Sequence, residues 1–92
     1  MAETGDAIEA RRRRAIFRAT HRGTKEMDWV LGRFAQARVG DMGEEELASF
    51  EQFLALPDPE IEQWVMRGTP VDPSSETGQM VERLRNYHQI GQ

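Results

Sequence analysis

Apolar residues recur at three- and four-residue intervals along most of the chain, and almost no stretch alternates with a period of two, so the pattern predicts helices and no strands. From about Asp6 to Thr20, Ile8, Ala15, Ile16 and Ala19 share one side, while Arg11, Arg14 and Arg18 line another. From about Thr24 to Arg38, Met27, Val30, Leu31 and Phe34 form the clearest amphipathic stripe. Gly32 lies inside that second helix at a cost of about 1 kcal/mol relative to alanine, which points to close approach of a neighbouring element there. A third helix opens with Glu44, Glu45 and Glu46, placed where the helix dipole favours negative charge. It buries Leu47, Phe50, Phe53 and Leu54 and stops at Pro57. Asp58 is read as the N-cap of a short fourth helix and Pro59 as its first residue. Ile61, Trp64 and Val65 face inward there, and Gly68 and Pro70 close it. The loop PVDPSS leads to a fifth helix with Met80, Val81, Leu84 and Tyr87 as its stripe. The expected fold is all-α, a compact five-helix bundle forming one domain over residues 1–92, with residues 1–10 and the terminal GQ flexible.

Composition narrows the function. At 92 residues the chain supports one core, with about 60 to 65% of the unfolded surface buried. It has 30% charged residues, no cysteine and a mean hydropathy of −0.70, as in ordinary soluble proteins. The absence of cysteine excludes thiol chemistry and cysteine-ligated zinc. The opening MAETGDAIEA is acidic where a targeting peptide carries positive charge, and no long apolar run follows, so a cytoplasmic location without membrane insertion is expected. The net charge of −4 is unevenly spread. Residues 1–38 hold nine Lys and Arg against five Asp and Glu, net +4, and residues 39–92 hold three against eleven, net −8. Such a dipolar molecule steers its first part toward an acidic partner.

Catalytic motifs are missing. There is no dinucleotide-binding glycine pattern, no phosphate loop and no serine elbow. The two histidines, His21 and His88, are far apart and suit helix ends better than a metal. No catalytic residue and no metal ligand is assigned. The run Arg11 to Arg14 could contact phosphates, in the manner of an antitoxin or nucleic-acid-linked regulator. In an acidic chain without interleaved exposed aromatics, a solvated face is the preferred reading, and nucleic acid is not the expected partner. Trp64 is read as a core anchor, and so is Trp29, although Trp29 lies off the Met27, Val30 and Phe34 stripe.

The segment HRGTKEMD, His21 to Asp28, has two readings. As helix punctuation, Arg22 is a cation at the end of helix one, Gly23 takes a left-handed conformation just past it, and Glu26 sits in the first turn of helix two. As a functional corner, Arg14, Arg18 and Arg22 fall along one line beside Glu26 and Asp28. Gly23 then lets another backbone come close, which suits docking onto a larger protein.

RGTKEMD resembles the RGxxE motif of the SdhE family of flavinylation assembly factors, also called succinate dehydrogenase assembly factor 2. Arg14 with two apolar residues and Phe17 resembles that family's lead-in. LGRFA resembles the end of its second helix, and PDPEIEQWVMRGTP its acidic turn and tryptophan helix. The likeness spans roughly Arg11 to Pro73. It departs at His21, where many relatives carry a second basic residue, and at Ala15, where leucine is usual. The resemblance implies a chaperone, not an enzyme. It would bind the flavoprotein subunit of succinate dehydrogenase, and that of fumarate reductase, and promote covalent attachment of FAD to that subunit while holding no tightly bound cofactor itself. It carries Arg22, Gly23 and Glu26 over as the motif, with Arg14, Arg18 and Asp28 as neighbours in the contact, in a protein expected to be monomeric when free. The alternatives are the nucleic-acid regulator and a helical adaptor with an unrelated partner.

Overall fold

The first helix, α1, runs over Ala2–Thr20 and lies across the next two helices. The structure, a computed structural model, describes residues 2–91, with side chains from residue 7 onward. The flexibility expected of residues 1–10 and of the GQ tail falls partly outside these residues; residues 7–10 continue α1. The second helix, α2, is composite: an α turn at Lys25–Met27, a π-helical turn at Asp28–Gly32 and an α segment at Arg33–Arg38. A 3-10 turn, Val39–Asp41, leads to α3 (Glu44–Leu54), which is followed by α4 (Asp58–Met66) and α5 (Glu76–Tyr87). No strand occurs among the described residues. The all-α five-helix expectation holds.

The core gathers one stripe from each helix. Ala15 and Ala19 of α1 meet Met27, Val30, Leu31, Phe34 and Ala35 of α2, and Leu47, Phe50, Phe53 and Leu54 of α3 close on them. Ile61 and Val65 come from α4, and Met80, Val81 and Leu84 from α5. Val39 and Met42, in the connection between α2 and α3, are equally buried. Where α1 crosses α2, a β-carbon on Gly32 would stand 3.0 Å from Thr20 Cγ2 and 3.4 Å from the Ala19 carbonyl. A side chain there would press on the Thr20 methyl, which would have to give by a few tenths of an ångström, so the two helices cross closely at Gly32, as its position suggested.

The π turn has a packing reason. It widens the helix so that Val30, Leu31 and Gly32 are all buried in succession and Phe34 and Ala35 still face the core beyond it. The Val30 carbonyl accepts a hydrogen bond from His88 Nε2 at 2.8 Å, which fastens the end of α5 to α2. His88 also packs against Trp29, ring centroids 4.1 Å apart and planes tilted by 35°. Trp29 itself is 40% exposed, so the core-anchor reading fails for it: its phase on α2 places it at the rim. Trp64 is half-buried and packs against the core.

One local expectation is corrected. The cap of α4 is Pro57, not Asp58; Asp58 begins the helix and its carboxylate makes no capping bond, because it is engaged elsewhere. The long link before α5 is a built turn. Asp72 accepts hydrogen bonds from the Ser74 N–H at 3.0 Å and hydroxyl at 2.8 Å, while Ser75 caps α5 by accepting the Gly78 N–H at 2.9 Å. Among the described residues no helix is long and apolar enough to cross a membrane, and no group of three or more His, Asp or Glu is placed to hold a metal ion.

Candidate partner-binding site

The elbow between α1 and α2 is built from side chains that end one helix and begin the next. Thr20 closes α1 by donating its hydroxyl back to the Ile16 carbonyl at 2.9 Å. His21 Nδ1 donates to the Phe17 carbonyl at 2.9 Å. Gly23 has φ +108°, a conformation that side-chain-bearing residues rarely adopt. Thr24 then caps α2, its hydroxyl accepting the Met27 N–H at 3.2 Å. Glu26 falls in the first turn, where the dipole favours it.

Arg22 does not point outward. Its Nε and Nη2 donate to Asp58 Oδ1 at 2.9 and 2.6 Å, Nη1 donates to the Leu54 carbonyl at 2.8 Å, and Nη2 also reaches the Leu56 carbonyl at 3.3 Å. Its side chain is 12% exposed. The cation thus serves the carboxyl end of α3, where free carbonyls and the dipole both attract it, instead of the end of α1. Its backbone N–H donates to Asp28 Oδ1, so Asp28 also faces the elbow's interior. Together these bonds clasp the elbow to the α3–α4 turn.

Of the six residues singled out in the sequence, Arg22 and Asp28 therefore brace the corner from within. Gly23 and Glu26 lie exposed on its outer surface, and a β-carbon on Gly23 would meet nothing within 4 Å. Arg14 is exposed as well. Arg18 is exposed and makes one 3.4 Å contact with the Glu51 carbonyl. The line Arg14, Arg18, Arg22 is broken at its last member, because the helix ends at Thr20 and the chain turns inward.

The arginine run divides too. Arg11 pairs with Glu51 at 2.9 Å and Glu44 at 3.3 Å, and these partners, Glu51 first, raise its already high pKa. Arg12 donates to the Met42 carbonyl at 2.7 Å and reaches Glu9 at 3.5 Å. Only Arg13 and Arg14 of the four face solvent freely, so no continuous basic helix is presented. Phe17 was missed: it is 61% exposed, three residues from Arg14 and four from Arg13, on the side of α1 opposite Ala15 and Ala19. Helical phase alone would have placed it there. Asp58, the partner of Arg22, gave no separate signal in the sequence.

Residues 13–88 match the family model described as "Flavinator of succinate dehydrogenase". The chain belongs to that family. The match runs to His88 and so takes in α5, well beyond the span of the resemblance noted from the motifs. The FAD assembly factor SdhE of Acetobacter pasteurianus is 42% identical over 79 residues, covering 86% of this chain and 72% of the relative. Mitochondrial succinate dehydrogenase assembly factor 2 of Debaryomyces hansenii is 33% identical over 70 residues, covering 76% and 49%, and that of Yarrowia lipolytica is 32% identical over 84 residues, covering 88% and 58%. The chain thus spans about half to three fifths of these two yeast relatives. No solved structure matches it. In this flavinator family member the elbow, the clasp and the exposed face of α1 from Arg13 onward all lie inside the matched region.

Proposed function

We propose that the chain is a non-catalytic chaperone that binds the flavoprotein subunit of succinate dehydrogenase, and that of fumarate reductase, and promotes covalent attachment of FAD to it. Family membership supports the role. The observation that carries the residue assignment is the division of the elbow: Arg22 and Asp28 hold it from within, leaving Gly23 and Glu26 exposed on an apex that none of the described residues covers. An apex held by five hydrogen bonds donated from Arg22 loses little conformational entropy on docking.

The chemistry belongs to the partner and its flavin. The chaperone would favour the arrangement of the subunit in which flavin and acceptor side chain meet, so that reaction geometry is supplied by a binding equilibrium. Glu26 would accept hydrogen bonds or a cation from the subunit, Gly23 would admit its backbone, and Arg14 and Arg18 would meet its carboxylates.

The test is complementation. A bacterial strain deleted for its own assembly factor is supplied with this chain, and covalent flavin on the flavoprotein subunit is read by in-gel fluorescence. Restoration is expected. A subunit that stays unflavinylated, although the chain is expressed and folded, would refute the proposal.

A further inference from the structure

The outward face of α1 carries an aromatic ring that the fold does not use. Phe17 is 61% exposed, and one face of its ring is stacked on His21, centroids 4.0 Å apart and planes inclined at 21°. With Arg13, Arg14 and Arg18, Phe17 also lines a shallow depression of about 300 Å³. A lone exposed phenylalanine is ordinary on a protein surface; what sets Phe17 apart is the set of charges around it.

Those charges say what kind of partner the ring suits. Arg11, Arg12 and Arg22 each hold internal carboxylates or carbonyls at 2.6 to 2.9 Å. Among the described residues Arg13 and Arg14 make no hydrogen bond or ion pair, and Arg18 has a single 3.4 Å contact with a carbonyl. Three guanidiniums without a carboxylate therefore ring one apolar anchor, a combination typical of the buried centre of a protein interface. His21 joins this patch to the elbow, which begins at the next residue.

We infer that Phe17, Arg13, Arg14 and Arg18 form a docking patch for an acidic segment of the flavoprotein subunit, one apolar side chain of which packs on the Phe17 ring while its carboxylates take the guanidiniums. The inference rests on the chaperone reading above and extends its surface from the elbow along α1. A nucleic acid is the poorer fit, because the chain is acidic overall, with a net charge of −4.

The experiment measures binding of the purified full chain to the immobilised apo flavoprotein subunit by biolayer interferometry at low and high salt. Phe17→Ala should raise Kd by at least about tenfold with unchanged thermal unfolding, and Phe17→Leu should restore most of the affinity. The double variant Arg13→Ala, Arg14→Ala should slow association and flatten its salt dependence. If Phe17→Ala binds like the wild type while Glu26→Ala does not, the patch is refuted and the chaperone reading stands. A wild-type chain that does not bind the subunit overturns both. A concentration-dependent dimer in sedimentation equilibrium, or salt-sensitive retention of RNA, that disappears in Phe17→Ala would assign the face to a second copy or to nucleic acid and overturn the inference.

Discussion

Arg22 Nη2 and Asp58 Oδ1 meet at 2.6 Å across 36 positions of sequence, and the same guanidinium closes two carbonyls at the end of α3. Arg22→Ala leaves a half-buried carboxylate and two carbonyls without their donor. It is expected to destabilise the fold by about 2 to 4 kcal/mol in urea titration. Arg22→Lys should recover only a small part, since an ammonium cannot serve three acceptors in that planar arrangement. Loss of function at Arg22 will therefore come with loss of stability, unlike loss at an exposed contact residue. A stable, cooperatively folding Arg22→Ala protein would show that the clasp matters little to the fold.

Gly23 separates backbone from contact. Its φ of +108° disfavours any side chain, whereas a β-carbon there would touch nothing in the chain. Gly23→Ala should cost about 1 to 2 kcal/mol through the backbone alone and leave the helical circular dichroism intact. Gly23→Val should cost somewhat more. A steep further loss of partner binding between alanine and valine, at matched stability, would locate a close-packed interface at this position.

Much of this arrangement was legible in the sequence, and the parts that were not share a cause. The stripes of α2, α3 and α5, the close crossing at Gly32 and the left-handed turn at Gly23 follow from periodicity and from what glycine alone permits. Arg22 was misdirected because the reading continued the phase of α1 past Thr20, where the helix stops, and no local signal names Asp58 as its partner 36 residues away. The π turn left no composition mark. Trp29 was read as a core anchor and Phe17 was given no place of its own, although each lies off its helix's buried stripe; phase was the better guide than residue type. The motif likeness stopped near Pro73, whereas the family match continues through α5.

Gly78 is fixed by the turn above it. A β-carbon there would collide with the Asp72 carbonyl, a backbone atom that cannot swing aside, while the Gly78 N–H is held by Ser75. Gly78→Ala should therefore lower stability by more than about 2 kcal/mol despite alanine's better helix propensity. Calorimetry of the variant checks this; a rise in melting temperature would contradict it.

The same turn gives a pH signature. Hydrogen bonds from the Ser74 N–H, and then from its hydroxyl, hold the Asp72 carboxyl below the usual carboxylate range. Because the folded value is depressed, the turn's contribution is complete above the ordinary unfolded value and is lost as pH falls through the folded one. Carbon-detected NMR titration should show this lowered midpoint. Ser74→Ala, which keeps the N–H and removes only the hydroxyl, should move it part of the way back upward, and an unmoved midpoint would remove the hydroxyl as a cause.

The claim on which the functional account turns is that Glu26, exposed at the apex of a braced elbow, grips the flavoprotein subunit. Its direct test is Glu26→Ala, followed by affinity for the apo subunit and covalent flavin yield, with urea stability measured alongside. The account predicts a stability loss of no more than about 1 kcal/mol, the value of a carboxylate at a helix N-terminus, together with a loss of binding of at least about tenfold and a matching fall in flavin attachment. Wild-type affinity and full flavin attachment in a stable Glu26→Ala protein would contradict it.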